Sequence, residues 1–326
     1  CDLDTKLLVV EPGTYAHAAT VARSLGIPVA ELRPCEGTAC GMFDLVGDEL
    51  SGGTQAGGYA NADDVALLLH TSGTTSRPKT VPLSHANVCA SAMNVKNCLA
   101  LISTDRCLNI MPLFHIHGLV AALLGSVAAG ASVFCTPGFE ADSFSAWLNE
   151  ARPTWYTAVP TMHQAILDLV RREPGVLEDV CLRFIRSSSA SLPPQVMNAL
   201  EQAFCAPVIE AYGMTEAAHQ MASNPLPPRK RKPGSVGLAA GPEVAIMDVG
   251  GGFLPPGEIG EVLIRGANVM SGYRNNPGAN AAAFTDGWFR TGDQGVMDEE
   301  GYLRLTGRLK EIINRGGEKI MPREID

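Results

Sequence analysis

Short apolar runs alternate with longer amphipathic segments from Lys6 to about Tyr212. The runs are KLLVV (6–10), VALLLH (65–70), RCLNIM (106–111), ASVFC (131–135), TWYTAV (154–159), LRFIRSS (182–188) and PVIEAYG (207–213), separated by helical patterns such as Pro160 to Arg171. Strands buried on both faces read as continuous apolar runs, and their alternation with helices marks βαβ units. The expected fold class is therefore α/β, with mostly parallel sheets flanked by helices. GLVAALLGSVAAGASVFC (118–135) is long and uncharged enough to raise a membrane question, but Gly125 and Gly130 divide it and its second half turns β-branched. It predicts a buried helix followed by a buried strand, with no membrane span. Near Asn224 the texture changes to NPLPPRKRKPGSVG, whose basic run, Arg229 to Lys232, reads as a solvated loop. Beyond it EVAIMDV, GEIGEVLIRG and GYLRLTGR lie between Gly/Pro turns and predict a smaller β-rich subdomain. The expected segments are residues 1–223, 233–308 and 309–326.

Composition narrows the partners. With 46% apolar and 18% charged residues, the chain has the material for a packed core. Its 34 acidic residues outnumber 25 basic ones, a formal charge of −9 that argues against nucleic acid or an anionic membrane as partner. A small molecule is expected instead. Nine cysteines, none in a C-x-x-C pair, read as buried thiols of a reducing compartment and not as a disulfide framework or zinc site.

The segment HTSGTTSRPKTVPLSH (70–85) carries the first chemistry. It follows the strand VALLLH and precedes Ser84, an expected N-cap for a helix running through Val88, Val95 and Leu99. A polar loop beside a helix start presents N–H groups to an anion. Thr71, Ser72, Thr74 and Thr75 add hydroxyls, Gly73 admits a close backbone approach, and Lys79 supplies a mobile charge, so polyphosphate is the natural guest. Neither G-x-x-x-x-G-K-[ST] nor a G-x-G-x-x-G after a strand is present. Alone, these residues fit an ordinary Ser/Thr-rich loop equally well.

In company they do not stand alone. The chain resembles the AMP-forming adenylate superfamily of acyl-CoA synthetases, nonribosomal adenylation domains and luciferases. HTSGTTSRPKTVPLSH is similar to that family's phosphate loop, with Ser76-Arg77 where Gly-x is usual and Thr80 where Gly is usual. EAYGMTE (210–216) resembles its adenine and magnesium motif, GWFRTGD (287–293) its ribose motif, and GRLKEIINRGGEKIMPREID (307–326) its hinge.

The resemblance implies an enzyme that joins a carboxylate to ATP, releases pyrophosphate, and passes the acyl group to coenzyme A. It implies that Thr71, Ser72, Gly73, Thr74, Thr75 and Lys79 cradle the β- and γ-phosphates. Tyr212 would stack on adenine, with Glu210 and Ala211 along the same edge, Ser189 and Ala190 beside the nucleotide, and Thr215 near the α-phosphate. Glu216 would bind Mg²⁺, Asp293 and Arg308 the ribose, and Lys310 would be the hinge of a small C-terminal domain. That domain, with the family's catalytic lysine, is expected beyond Asp326, and the start on Cys1 instead of Met fits a piece of a longer protein.

The acid pocket is expected between PLFHIHGL (112–119), RSSSASL (186–192) and the residues after Glu216. His115 matches the gating histidine beside the reacting carboxylate, while His117 and Ser188 would make the pocket small and polar and His219 would add a cation. A buried second carboxylate requires such partners, whereas a fatty or aromatic acid does not. Together with a likeness of EAYGMTEAAHQMASNPLPP and INRGGEKI to the oxalate–CoA ligase branch, this makes oxalate the expected substrate. A 4-coumarate-like acid, a medium-chain acid, or a non-catalytic nucleotide-binding homologue are the alternatives. The expected compartment is the cytoplasm or the peroxisome, whose address would be read at a C-terminus.

Overall fold

A computed structural model describes residues 3–39, 41–47, 57–71, 78–173 and 175–309, and the backbone alone at 313–315 and 318–320. The chain divides into two compact units, residues 1–60 and 61–326. The first holds a three-stranded sheet in which β1 (Leu8–Val10) pairs parallel with β2 (Val29–Pro34), and β2 pairs antiparallel with β3 (Phe43–Val46). Helix α1 (Ala16–Ser24) connects β1 to β2.

The second unit opens with a two-stranded hairpin, β4 (Val65–His70) and β5 (Thr80–Ser84), followed by α2 (His85–Cys98). Its main sheet contains β6 (Arg106–Asn109), β7 (Ser132–Cys135), β8 (Trp155–Ala158), β9 (Phe184–Ser187), β10 (Val208–Met214), β11 (His219–Ser223) and β12 (Leu238–Ala239). The order is β12-β11-β10-β9-β8-β6-β7; the five strands from β10 to β7 run parallel and the two at the other edge antiparallel. Alternate residues face opposite layers. Leu108, Tyr156, Ile185 and Val208 pack under α4 (Phe144–Ala151), α5 (Pro160–Arg172) and α6 (Pro194–Phe204), while Cys107, Trp155 and Phe184 pack against Val95 of α2 and Ala121 of a π-helix, His117–Leu124. Burial on both faces is why these strands carry no polar alternation.

A second sheet, antiparallel, is built from β13 (Glu243–Met247), β14 (Ile259–Arg265), β15 (Phe284–Thr285), β16 (Trp288–Met297) and β17 (Leu303–Arg308), with α7 (Pro277–Ala283) before β15. Val262, Ile264, Phe289 and Leu303 share a core with Val81 and Leu83 of the hairpin and Met221 and Ala222 of β11. That shared core brings the ribose motif on β16 to the end of β10.

Three local expectations meet the structure differently. Ser84 is the N-cap of α2 and forms a capping box with Asn87, but the polar loop does not lead into that helix. It joins two antiparallel strands, and the five residue steps from Lys79 along β5 place the N-cap Ser84 about 17 Å away. Of the seven described cysteines, all free, only Cys107 is buried, so the thiols are not the interior set that the sequence predicts. The basic run is half engaged: Arg231 pairs with Glu201, and Lys232 bonds Asp298 at 2.5 Å and lies over the Tyr302 ring, while Arg229 and Lys230 are exposed. No described helix is long and apolar enough to cross a membrane, and the 118–135 segment forms all but the first residue of the π-helix, a short α3 (Gly125–Ala128) and β7.

Candidate active site

The C-terminal ends of the parallel strands, where open α/β sheets bind ligands, gather most of the expected residues. At the end of β10, Tyr212 is buried and its hydroxyl donates to Asp293 Oδ2. Arg308 Nε donates to the other oxygen, Asp293 Oδ1, at 3.0 Å. Burial and the facing carboxylate push the Tyr212 hydroxyl well above its ordinary range, so it stays a donor. The Asp293 backbone is fixed by its own strand: Asp293 N–H donates to Thr291 Oγ1, Thr291 Oγ1–H to the Val262 carbonyl, and Gly292 N–H to Glu261. Three residues distant in sequence thus form one carboxylate-centred cluster, with Arg308 on the exposed side.

Beyond Met214 the chain makes a 3₁₀ turn, Thr215–Ala217, that carries Glu216. Its carboxylate is buried and accepts the Tyr273 hydroxyl at 2.9 Å, and Lys79 Nζ lies 4.4 Å from the centre of the Tyr273 ring. Tyr273 therefore links the loop lysine to the acidic residue. Its hydroxyl is pushed above the usual phenol range by burial and then by Glu216. At the base of the loop Thr71 N–H donates to the Lys79 carbonyl at 3.0 Å and Lys79 N–H to Thr71 Oγ1 at 3.2 Å. Ser72, Gly73, Thr74, Thr75 and Lys310 lie outside the described residues. No group of three potential metal-ligating side chains occurs among the described residues. A single carboxylate such as Glu216 suits Mg²⁺ carried in with nucleotide phosphates, because that ion keeps several waters and takes one or two protein carboxylates.

A second polar cluster lies in the row Asn109–Thr157–Arg186–Ile209 that crosses the sheet. The Arg186 guanidinium is fully buried; Nη1 donates to His117 Nε2 at 3.3 Å and to Thr157 Oγ1 at 3.4 Å, and Nη2 to Gln220 Oε1 at 3.1 Å. An Arg offers donors only, so His117 Nε2 accepts, and the ring proton sits on Nδ1, 3.0 Å from Ser189 Oγ. Thr157 lies 2.6 Å from the same Nε2 and donates its hydroxyl proton there. His117 occupies the first turn of the π-helix, a geometry that recurs at functional sites. Gly118 permits that turn, since a Cβ there would stand 2.5 Å from the Pro112 carbonyl.

His219 completes the cluster, its ring 5.2 Å from that of His117. Its φ of +96° is unusual for a side-chain-bearing residue, and its buried Nδ1 has no hydrogen-bond partner among the described residues. Gly213 explains how this turn closes. A Cβ on Gly213 would come within 1.9 Å of the His219 carbonyl oxygen, so Gly213→Ala is expected to cost about 2 kcal/mol by forcing β10 and β11 apart. Urea unfolding checks it; an unchanged midpoint would mean that the hairpin yields freely.

The remaining expected residues take different places. Ser188 is buried and donates to the Ala211 carbonyl at 2.9 Å, so its hydroxyl ties β9 to β10. Glu210 is buried as well, and accepts the Leu192 N–H at 3.0 Å, fixing the loop that carries Ser189 and Ala190. Both loop residues are exposed, as is His115, whose ring packs against Phe114 at 4.5 Å. Ala211 lies buried in β10 and Thr215 is half-buried at the start of the 3₁₀ turn.

A family model described as "AMP-binding enzyme" matches residues 18–274. The chain belongs to the AMP-binding enzyme family. Similar to it are oxalate–CoA ligases from Arabidopsis thaliana, 54% identical over 81% of this chain and 52% of the relative, and from Saccharomyces cerevisiae, 51% identical over 82% and 49%. The chain spans about half the length of these curated relatives. Among solved structures, ATP-bound MatB from Rhodopseudomonas palustris superposes with a TM-score of 0.84 at 31% identity, covering 99% of this chain and 63% of that one.

Within this family fold, sequence reasoning passed over Arg186, Thr157, Gln220 and Tyr273. Arg186 carried a legible signal: a lone charge inside a strand buried on both faces must find polar company. Tyr273 carried none, since its partner Glu216 lies 57 residues away.

Proposed function

We propose that this chain is the nucleotide- and acid-binding part of an AMP-forming acid–CoA ligase whose substrate is a short dicarboxylate, oxalate. The observation that carries the proposal is the Tyr212–Asp293–Arg308 cluster, a buried carboxylate bonded to an exposed arginine, together with the Glu216–Tyr273–Lys79 group. Family membership and the names of the two plant and fungal relatives support it.

In this reading Asp293 accepts both ribose hydroxyls of ATP, Arg308 closes over them, and Tyr212 with Ala211 and Glu210 forms the adenine side next to Ser189 and Ala190. Thr71 to Thr75 and Lys79 hold the β- and γ-phosphates. Glu216 would hold Mg²⁺, whose charge eases the approach of an anionic nucleophile to phosphate. His115 and Thr215 flank the α-phosphorus. One oxygen of the acid attacks that phosphorus and pyrophosphate leaves; the thiol of coenzyme A then attacks the acyl carbon and AMP leaves. Catalysis is mainly positioning and neutralisation of charge. Residues 1–223 and 233–308 would act as the binding layers and 309–326, with Lys310, as a hinge; the compartment is cytoplasmic or peroxisomal.

An apolar acid would leave the Arg186, His117 and His219 cluster facing hydrocarbon, which disfavours the coumarate and medium-chain alternatives. The test is product analysis with ATP, Mg²⁺, oxalate and coenzyme A. Equal amounts of AMP, pyrophosphate and a thioester of the expected mass would support the proposal, and ADP with phosphate would overturn it.

A further inference from the structure

Within the second polar cluster, Arg186 has unusual surroundings. It is fully buried, yet no acidic side chain bonds it among the described residues; its acceptors are the neutral groups of His117, Thr157 and Gln220. Among the described residues its Nε–H has no hydrogen-bond partner, and Nη2 carries two hydrogens for one acceptor. A buried charge without a counter-charge is strongly unfavourable, and an unpaired buried N–H adds to that cost. His219, with its unpartnered Nδ1, lies in the same cluster. Two orphaned polar atoms and one uncompensated positive charge converge behind an exposed loop residue, Ser189, held in the left-handed region at φ +74°.

We propose that Arg186 supplies the fixed counter-charge for the non-reacting carboxylate of a short dicarboxylate, with His117 and His219 as the neutral hydrogen-bonding groups that face it. The inference deepens the ligase reading and rests on it. Arg186 also sets the His117 tautomer: by donating to Nε2 it keeps the proton on Nδ1, the nitrogen directed toward Ser189. The positive guanidinium opposes protonation of both rings, after burial itself, which is the larger influence. One formal charge matches one carboxylate, leaving the other to attack the α-phosphorus. A monocarboxylate would leave Arg186 unpaired, so selectivity for a dianion follows from the interior charge and not from pocket size alone.

The test compares wild type, Arg186→Met and Arg186→Lys. Oxalate binding to the MgATP-loaded chain is measured by calorimetry, and the KM for oxalate and kcat by pyrophosphate exchange. Arg186→Met is expected to weaken oxalate binding and raise its KM about 100-fold, with MgATP affinity changed less than about threefold. Arg186→Lys keeps the charge but loses the fork, and is expected to recover about tenfold of that loss, a rescue that a purely structural role would not give. Acceleration of octanoate exchange in Arg186→Met would add support. Equal oxalate binding by wild type and both variants overturns the assignment while leaving the ligase reading intact, as does a wild type that exchanges only with monocarboxylates. Absence of exchange with every acid, despite oxalate binding that depends on Arg186, would remove the ligase reading and keep the subsite.

Discussion

Asp293→Ala is expected to weaken MgATP binding about 100-fold. The carboxylate is 5% exposed and accepts from Tyr212 and Arg308, and in the proposed reading the two ribose hydroxyls donate to it as well. A hydrogen bond to a charged acceptor contributes about 1.5 kcal/mol, and two such bonds give about 3 kcal/mol, or roughly a hundredfold in affinity. The side chain is also a fold contact, because its loss strands the buried Tyr212 hydroxyl. Arg308, 62% exposed, regains water on release and adds little. Asp293→Asn, which preserves shape and one acceptor oxygen, is expected to fall between wild type and alanine at about tenfold. Calorimetric titration with MgATP measures all three. Wild-type affinity in Asp293→Ala would remove the cluster from the nucleotide site.

Acidification is expected to destabilise the second unit by about 4 kcal/mol between pH 7.5 and 5.5. Three buried histidines set the slope. Burial, followed by the Arg186 charge and neighbouring histidines, holds His117 and His219 well below their ordinary 6.5, and burial alone lowers His163 to about 3. In the unfolded chain each takes up a proton as pH falls below 6.5; in the folded chain none does until much lower pH. Stability is thus complete above about pH 6.5 and declines below it, by about 1.4 kcal/mol per pH unit for each histidine, through a window that reaches about 3 for His163. Urea midpoints at the two pH values test this. His163→Phe is expected to remove about a third of the slope, and a flat profile in wild type would contradict the neutral assignment.

The parallel layer was the most legible part of the fold, because a strand buried on both faces leaves an apolar run that no surface segment imitates. LRFIRSS and PVIEAYG read as strands for that reason, and they are β9 and β10. The strand TVPLS was missed. It carries Pro82, which is tolerated because β5, among the described residues, pairs with β4 alone, a context invisible in one sequence. The candidate site was legible as positions where family motifs mark carboxylates, and Glu216 and Asp293 are both buried with a tyrosine hydroxyl bonded to each. It was illegible where a hydroxyl or guanidinium acts across long separations: Tyr273 reaches Glu216, and Arg186 reaches Gln220 and His117, only after two layers have packed. Ser188 shows the opposite error, since a serine beside an expected pocket spends its hydroxyl on a neighbouring strand.

The most direct test of the central claim is acid-dependent exchange of pyrophosphate into ATP, by the longest natural chain that carries these residues. The panel is oxalate, malonate, 4-coumarate and octanoate. The account predicts exchange with oxalate, weaker exchange with malonate, and none with the two monocarboxylates. Exchange with coumarate or octanoate alone would contradict the charged acid pocket, and no exchange with any acid, alongside tight MgATP binding, would contradict adenylation itself.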